Sequence, residues 1–308
     1  MRLGGDNVLK IQIYKKRNNL TPYIFIFPAL ALISFIVVFP ISNCFFISLL
    51  KWDLRYISRT FIGLENYKNI LFSENFLKVL ITTVIWTVVG VSLQMIIGLI
   101  LANFVQRKKH GAKVLQVLFL LPWVIPGIVV SIIWSWMLQA DLGIINNVLM
   151  QIGLIKEPIL WLSDKKLALG SVIAVNTWKA FPFWFLMLYA GLLSLPSELL
   201  EAAKIDGANE LQLFWYIKIP HLMPVIAATG VVTTIWTLNY FDLIYVMTRG
   251  GPGTSTSTLP IYTYRLGFQF FKFGESAAMA IISLVVIVLL CIPYIKMMMP
   301  SLGKKGTL

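Results

Sequence analysis

Charged residues are scarce in this sequence, and their scarcity excludes most classes of soluble protein. Asp, Glu, Lys and Arg make up only 13% of the 308 residues, whereas 58% are hydrophobic. A soluble domain usually carries about 25% charged and about 45–50% apolar residues. The chain is therefore too apolar for an ordinary soluble enzyme, and its composition favours a protein that crosses a membrane several times.

Cysteine and histidine are also rare. The two cysteines, Cys44 and Cys291, lie inside apolar runs, and no CxxC pair or Cys/His cluster occurs. An isolated Cys in apolar surroundings usually behaves as a small hydrophobic residue. His110 and His221 are isolated as well, so the sequence predicts neither a metal site nor catalytic residues.

A nucleotide-binding motif is missing too. A phosphate-binding P-loop needs the pattern GxxxxGK[ST] between a strand and a helix. The glycine cluster at 249–253, Arg-Gly-Gly-Pro-Gly, lacks the lysine, and we interpret it as a turn. The sequence therefore predicts that this chain binds no cofactor and does not itself hydrolyse ATP.

The sequence does contain six long runs with few or no charged residues. A bilayer-spanning helix needs about 20 mostly apolar residues. Runs of that kind lie at about 23–50, 79–106, 114–140, 167–193, 222–247 and 276–295. They predict an all-α integral membrane protein with one six-span domain over 23–298, flanked by tails at 1–22 and 299–308.

The positive charge predicts the orientation of these spans. The formal net charge is +13, and basic residues are densest in the N-terminal tail and in the 107–113 loop. Lys and Arg in short loops favour the cytoplasmic side of a membrane, so we expect both termini in the cytoplasm. No segment outside the spans is long enough to fold a basic module, and we expect no nucleic-acid partner.

The loop at about 195–220, between the fourth and fifth runs, carries clear helix signals. Pro196 suits a first helical turn, and Glu198 and Glu201 place negative charge at the positive end of that helix. Gly207 suits the left-handed residue that ends it. The loop therefore predicts a short helix between Pro196 and Gly207.

A second short helix is predicted at about 209–218. Asn209 with Gln212 three residues later resembles a capping box that opens it. We expect Pro220 to end it, after a stripe of exposed apolar residues at helical spacing, Leu213, Phe214 and Ile217.

Charge also distinguishes this loop. Residues 196–222 hold four acidic and two basic residues, a net charge of −2 in a strongly basic protein. Two interpretations are open from the residues alone. The loop is either a docking element for a separate soluble protein or an amphipathic hairpin that joins two spans.

Several motifs occur in a fixed order along the chain. Glu201-Ala202-Ala203 is followed by Asp206-Gly207-Ala208 and Ile219-Pro220. Four further motifs are FIGLENY at 61–67, LPWVIP at 121–126, Trp178-Lys179 and TRGGP at 248–252. Together these motifs resemble the sugar-type permeases of binding-protein-dependent ABC importers. More narrowly, they resemble the maltose-permease-like first subunit. The likeness runs from about residue 20 to the C-terminus. Arg249, where that family often has a small residue such as glycine, and a short first external loop depart from the pattern.

The resemblance implies a type I ABC importer permease fold with the 195–220 loop as its cytoplasmic EAA coupling loop. It implies four partners: a second homologous permease, two copies of an ABC ATPase that uses ATP and Mg, an extracytoplasmic sugar-binding protein, and membrane lipid. It also implies a bacterial or archaeal cytoplasmic membrane. Contact with the ATPase is then expected at Glu198, Glu201, Ala202, Ala203, Asp206 and Gly207.

Polar residues inside the fourth and fifth runs are candidates for the substrate path. Ionisable and polar side chains in a span are costly and usually face a protein interior or a cavity. Aromatic faces and amides suit sugar rings and hydroxyls, which selects Asn176, Trp178, Lys179, Trp236, Asn239, Tyr240 and Asp242. Packing and interfacial anchoring are the competing interpretation. Gln94 and Asn103 are weaker candidates, for which we expect interhelical hydrogen bonds.

The predicted function is sugar import by alternating access, driven by a partner's ATP hydrolysis. One alternative is an ion-coupled secondary transporter, which would use intramembrane carboxylates and symmetric halves; only Asp242 comes close. Another is a membrane-bound sugar transferase, which would need clustered acids at the membrane face.

Overall fold

Residues 21–56, 59–108 and 110–303 are described by the computed structural model of the chain. Residues 1–20 and 304–308, the larger part of the predicted tails at 1–22 and 299–308, lie outside this range. The chain divides into two units between Asn43 and Cys44. The first unit holds helix α1 (Thr21–Ile33), a π-helical turn (Ser34–Val38) and the start of α2 (Phe39–Ser48). Phe25–Ser48 is long and apolar enough to cross a membrane.

The second unit contains four long helices: α4 (Glu74–Gln106), α8 (Ala168–Leu193), α11 (Ile219–Leu238) and α14 (Phe273–Gly303). α4 packs along α8, and α11 packs against α4, α8 and α14. Gly98 permits the close contact between α4 and α8, because a Cβ at this position would lie 2.7 Å from Cβ of Trp184. Small residues allow membrane helices to approach closely in this way.

The third predicted span is a bent pair of helices and not one continuous helix. α5 (Ala112–Val124) and α6 (Gly127–Met137) meet at an angle of 91°. Pro126 explains the break, since it lacks an N–H and forces Ile125 into an extended conformation. The described residues thus hold five candidate spans, or six when this bent pair counts as one.

The helix that follows the 195–220 loop also differs from expectation. α10 (Glu210–Gln212) runs through a π-helical turn (Leu213–Lys218) directly into α11. Pro220 therefore does not stop the helix. It occupies the first turn of α11, and Ile219 donates its N–H to the carbonyl of Phe214 five residues back. A wider turn of this kind accommodates the proline that an α-helical interior would reject.

Short elements connect the long helices. Strands β1 (Leu50–Trp52) and β2 (Arg59–Phe61) pair antiparallel, with Leu50 opposite Phe61. The remaining helices are α3 (Glu65–Leu71), α7 (Ile144–Gln151), α9 (Ser197–Ile205), α12 (Asp242–Thr248) and α13 (Leu259–Tyr264), which a π-helical turn (Arg265–Gln269) follows.

The glycine cluster at 249–253 forms the turn that its sequence indicates. Arg249 ends α12 with φ 52° and ψ 26°, in the left-handed region, and its N–H reaches the carbonyls of Ile244 and Tyr245. Gly250 and Gly253 also have positive φ. A left-handed backbone favours glycine, which gives a physical reason why a small residue suits position 249.

Candidate functional site

A cavity of about 390 Å³ lies where α4, α8 and α11 meet the bend between α5 and α6. We call it the α8 cavity, because α8 supplies four of its lining residues. Its walls are Gln94, Trp123, Asn176, Lys179, Ala180, Phe183, Thr233, Ile235, Trp236, Thr237, Asn239 and Tyr240. The structure thus brings together five of the seven predicted substrate-path residues.

Several polar atoms on these walls lack hydrogen-bond partners. Gln94 is fully buried, yet neither its Nε2 nor its Oε1 is hydrogen-bonded within the described residues. The same holds there for Nδ2 of Asn176 and the hydroxyl of Tyr240. The expected interhelical hydrogen bond of Gln94 is therefore wrong. Buried polar groups are normally paired, so the unpaired atoms on these walls mark a candidate binding site.

Aromatic rings form one side of the α8 cavity. The ring centroid of Phe183 lies 4.9 Å from that of Trp236 and 5.8 Å from that of Trp123. Both indoles remain partly exposed. A pyranose ring placed here would meet flat apolar surfaces beside amide donors and acceptors.

Lys179 has a structural role at the edge of the α8 cavity. Its Nζ donates to the carbonyl of Ile125 at 2.7 Å and makes a longer contact, 3.4 Å, with the carbonyl of Trp123. These carbonyls lie at the end of α5, where the break leaves them without helical partners. A cation is also favourable at the negative end of a helix dipole. Lys179 therefore stabilises the bend of the third span.

Two predicted substrate-path residues lie elsewhere. Trp178 packs in the core, with its ring 5.5 Å from that of Trp134. Asp242 is exposed at the start of α12. Neither lines the α8 cavity.

Sequence reasoning also missed several walls of this cavity, chiefly Trp123, Phe183 and Thr233. Aromatic and Thr residues in an apolar run look like ordinary packing. The available signal was the Ile-Pro pair at 125–126, which indicates a helix break beside Trp123.

The local structure of the 195–220 loop follows its sequence closely. α9 starts after Pro196, and Gly207 has φ +86°. The capping box is present: Asn209 Oδ1 accepts from the N–H of Gln212, and Gln212 Oε1 accepts from the N–H of Asn209, both at 2.8 Å. These three predictions are confirmed.

The exposed surface of the loop differs in part from expectation. Leu213 is buried, and Phe214 and Ile217 are half-buried, so the predicted exposed stripe is wrong. They pack inward because the helix continues into α11 instead of ending. The exposed apolar side chains are instead Leu199, Ile205, Leu211, Trp215 and Tyr216.

The residues predicted to contact an ATPase lie mostly on the outside of α9 and the turn after it. Glu198, Glu201, Ala202, Asp206 and Gly207 are exposed, and Ala203 is half-buried. Within the part of the chain that the structure describes, none of the three carboxylates forms a salt bridge. Free carboxylates beside exposed apolar side chains form a surface suited to a protein partner.

Comparisons with known proteins agree on one family. Residues 94–297 match the model of the binding-protein-dependent transport system inner membrane component. A probable ABC transporter permease of Sinorhizobium fredii is 37% identical over 273 residues, which cover 88% of this chain and 87% of that protein. The trehalose/maltose transport system permease protein MalF of Thermococcus litoralis is 33% identical over 295 residues, 94% and 97% of the two chains.

A solved structure shares the fold. It is the bacterial alginate ABC transporter in complex with an alginate pentasaccharide-bound periplasmic protein. One of its chains matches with a TM-score of 0.75 at 22% identity, over 90% of this chain and 93% of its own length. The predicted type I permease fold is thereby confirmed. The family match also agrees with the prediction of a membrane subunit. This chain belongs to the family of inner membrane components of binding-protein-dependent transport systems.

Proposed function

We propose that this permease subunit carries a sugar or sugar derivative through the α8 cavity in an ATP-driven importer. The observation that carries the proposal is the pairing of unsatisfied amides, on Gln94 and Asn176, with the aromatic wall of Phe183 and Trp236. A sugar would satisfy both, because its hydroxyls hydrogen-bond and its ring stacks. Relatives named for trehalose/maltose and alginate transport support a saccharide substrate.

The volume of the α8 cavity is consistent with this use. Ligand pockets usually enclose about 300–1,000 Å³ and combine apolar walls with a few polar groups. The α8 cavity has about 390 Å³ and a mostly apolar lining. Asn176, Lys179, Trp236, Asn239 and Tyr240 are its proposed substrate-path residues.

The 195–220 loop is the proposed contact with the ATPase, on the cytoplasmic side, with both termini on that side. The exposed carboxylates of Glu198, Glu201 and Asp206 and the exposed Ile205 support this role. Ala202 and Ala203 would permit close approach, and Gly207 would shape the bend. The further proposed partners are a second homologous permease, two copies of the ATPase with its ATP and Mg, and an extracytoplasmic sugar-binding protein.

Alternating access supplies the mechanism. Closure of the ATPase dimer would push on α9, and the packed helices would rock between inward-facing and outward-facing states. Two helix breaks lie at the α8 cavity, at Ile125-Pro126 and at 239–241. They provide places at which its walls can change shape. The membrane is proposed to be the cytoplasmic membrane of a bacterium or archaeon.

Neither alternative function gains support. Family membership does not favour an ion-coupled carrier or a sugar transferase. Asp242, the carboxylate that an ion relay would use, is exposed and does not line the α8 cavity.

Reconstitution tests the proposal. The complete transporter is purified, placed in liposomes, and assayed with its binding protein across a panel of sugars. We expect one class of sugar to stimulate ATP hydrolysis and to accumulate in the compartment that contains ATP. Transport by this chain alone, without an ATPase, would contradict the proposal.

A further inference from the structure

A buried lysine joins the end of the 195–220 loop to two spans. Lys218, the last residue of the π-helical turn, is only 4% exposed. Its Nζ donates to Oδ1 of Asn103 at 2.8 Å and to Oε1 of Gln106 at 3.0 Å, both on α4. Gln106 in turn donates its Nε2 to the carbonyl of Leu192, in the last turn of α8, at 3.1 Å. The ammonium and two amides therefore connect the loop with α4 and α8.

The chemistry of this cluster is unusual for simple packing. Burying an ammonium is costly unless oxygen atoms surround it. Within the described residues Lys218 has amide oxygens as partners and forms no salt bridge with a carboxylate. A leucine or methionine would fill the same space without that cost. A buried polar cluster instead fixes one relative position of the elements it joins.

Other links between the loop and the spans are more exposed. Arg107 and Glu210 form a salt bridge of 2.8 Å, but both side chains are about half exposed. Such surface pairs contribute little. Ser194 and His221 are 3.1 Å apart at the exposed base of the loop. Lys218 is thus the link that solvent does not weaken.

The helices joined by Lys218 carry two of the three amides that line the α8 cavity, those of Gln94 and Asn176. α4 carries Gln94, nine residues before Asn103, which corresponds to about 14 Å along a helix. α8 carries Asn176 and Lys179. Motion of the loop can therefore reach the cavity through two continuous helices.

We propose that Lys218 is a positioning residue that makes the 195–220 loop, α4 and α8 move as one body. A push on α9 then displaces the walls of the α8 cavity instead of bending the loop. This inference rests on the proposed contact between the loop and the ATPase.

The test measures sugar transported per ATP hydrolysed by the complete reconstituted transporter. Networks of this kind change coupling by a factor of roughly 2 to 30, so we expect Lys218→Met to lower the ratio by that amount. Lys218→Arg keeps the charge, so its ratio should be close to that of the wild type. The matched control is Lys113→Met, because Lys113 is exposed near the same end of the spans, and its ratio should equal that of the wild type.

A role limited to folding would reduce the amount of assembled complex without changing the ratio. If the Lys218→Met transporter does not assemble, Asn103→Leu replaces it as the test. This variant removes one α4 acceptor of the Lys218 ammonium and should also lower the ratio. A wild-type ratio in the assembled variants, or an Arg variant no better than the Met variant, overturns the proposal.

Glu201→Ala separates this inference from the proposed docking. If Glu201→Ala uncouples the transporter and Lys218→Met does not, the role of Lys218 is wrong and the docking stands. If neither variant changes the ratio, the docking assignment itself fails.

Discussion

The 195–220 loop and the α8 cavity treat their polar groups in opposite ways. In the loop, the capping box of Asn209 and Gln212 is complete and Lys218 is held by two amides. In the α8 cavity, Gln94 is fully buried and its amide has no partner within the described residues. A satisfied set of polar groups favours a fixed shape, and unpaired ones leave capacity for a ligand. This difference in hydrogen bonding fits the proposed roles of the loop in coupling and of the α8 cavity in binding.

The largest expected effect comes from Lys179→Met, which tests whether the Lys179 side chain stabilises the bend beside the α8 cavity. The substitution leaves the carbonyl of Ile125 without its charged donor. Losing a hydrogen bond to a charged group costs about 1.5–3 kcal/mol. Thermal denaturation of the purified complex should show that loss, together with loss of transport. Lys166→Met, on the exposed segment before α8, serves as the control, and equal effects of both variants would refute the role of Lys179.

Asn176→Leu should separate transport from stability. Its Nδ2 has no hydrogen-bond partner among the described residues, so the fold loses no hydrogen bond from this atom, whereas the substrate loses one. A neutral hydrogen bond contributes about 0.5–1.5 kcal/mol, so transport efficiency should fall about two- to tenfold. Thr177→Val is the matched control. Thr177 is buried and its hydroxyl has no hydrogen-bond partner among the described residues, but it does not line the α8 cavity. A transport defect of equal size in Thr177→Val would show that the cavity is not the site.

Gly207→Ala examines the shape of the loop. Gly207 has φ +86°, and a Cβ would meet no atom of the described chain within 4 Å. Only backbone strain therefore acts, at about 1–2 kcal/mol. We expect fewer sugars transported per ATP hydrolysed, with normal insertion into the membrane. Gly170→Ala, in equally open space with an ordinary helical backbone, should leave the ratio unchanged; a fall in both variants would argue against a special bend at 207.

Much of the loop could be predicted because its signals act over a few residues. A left-handed glycine and a capping box are local, and both were readable without knowledge of the fold. The course of the chain at Pro220 could not be predicted, since no local pattern distinguishes a π-helical turn that accommodates the proline from a helix that ends before it.

The sequence predicted some residues of the α8 cavity and missed others, because only the polar ones stand out in an apolar run. Asn176 and Asn239 are conspicuous because polar groups in a span are costly. Trp123 and Phe183 carry no such mark, and Trp123 reaches the cavity only through the 91° bend of the third span. An interhelical hydrogen bond was expected for Gln94, and the absence of a partner emerges only from the packed helices.

The smallest expected effect is that of Arg249→Gly, at a turn outside both regions. The left-handed backbone costs a non-glycine residue about 1–2 kcal/mol, and the greater freedom of glycine in the unfolded chain offsets about 0.5–1 kcal/mol. The variant should be slightly more stable in thermal denaturation, with unchanged transport. A clear destabilisation would show that the Arg249 side chain stabilises the turn.

The central claim is that the loop receives force and the α8 cavity receives sugar. The most direct test is the number of sugar molecules transported per ATP hydrolysed by reconstituted transporters that carry Glu201→Ala or Asn176→Leu. The account predicts that Asn176→Leu slows transport and sugar-stimulated ATP hydrolysis together, so that the ratio stays near the wild-type value, whereas Glu201→Ala lowers the ratio. A normal ratio in Glu201→Ala, or the same fall in both variants, would contradict it.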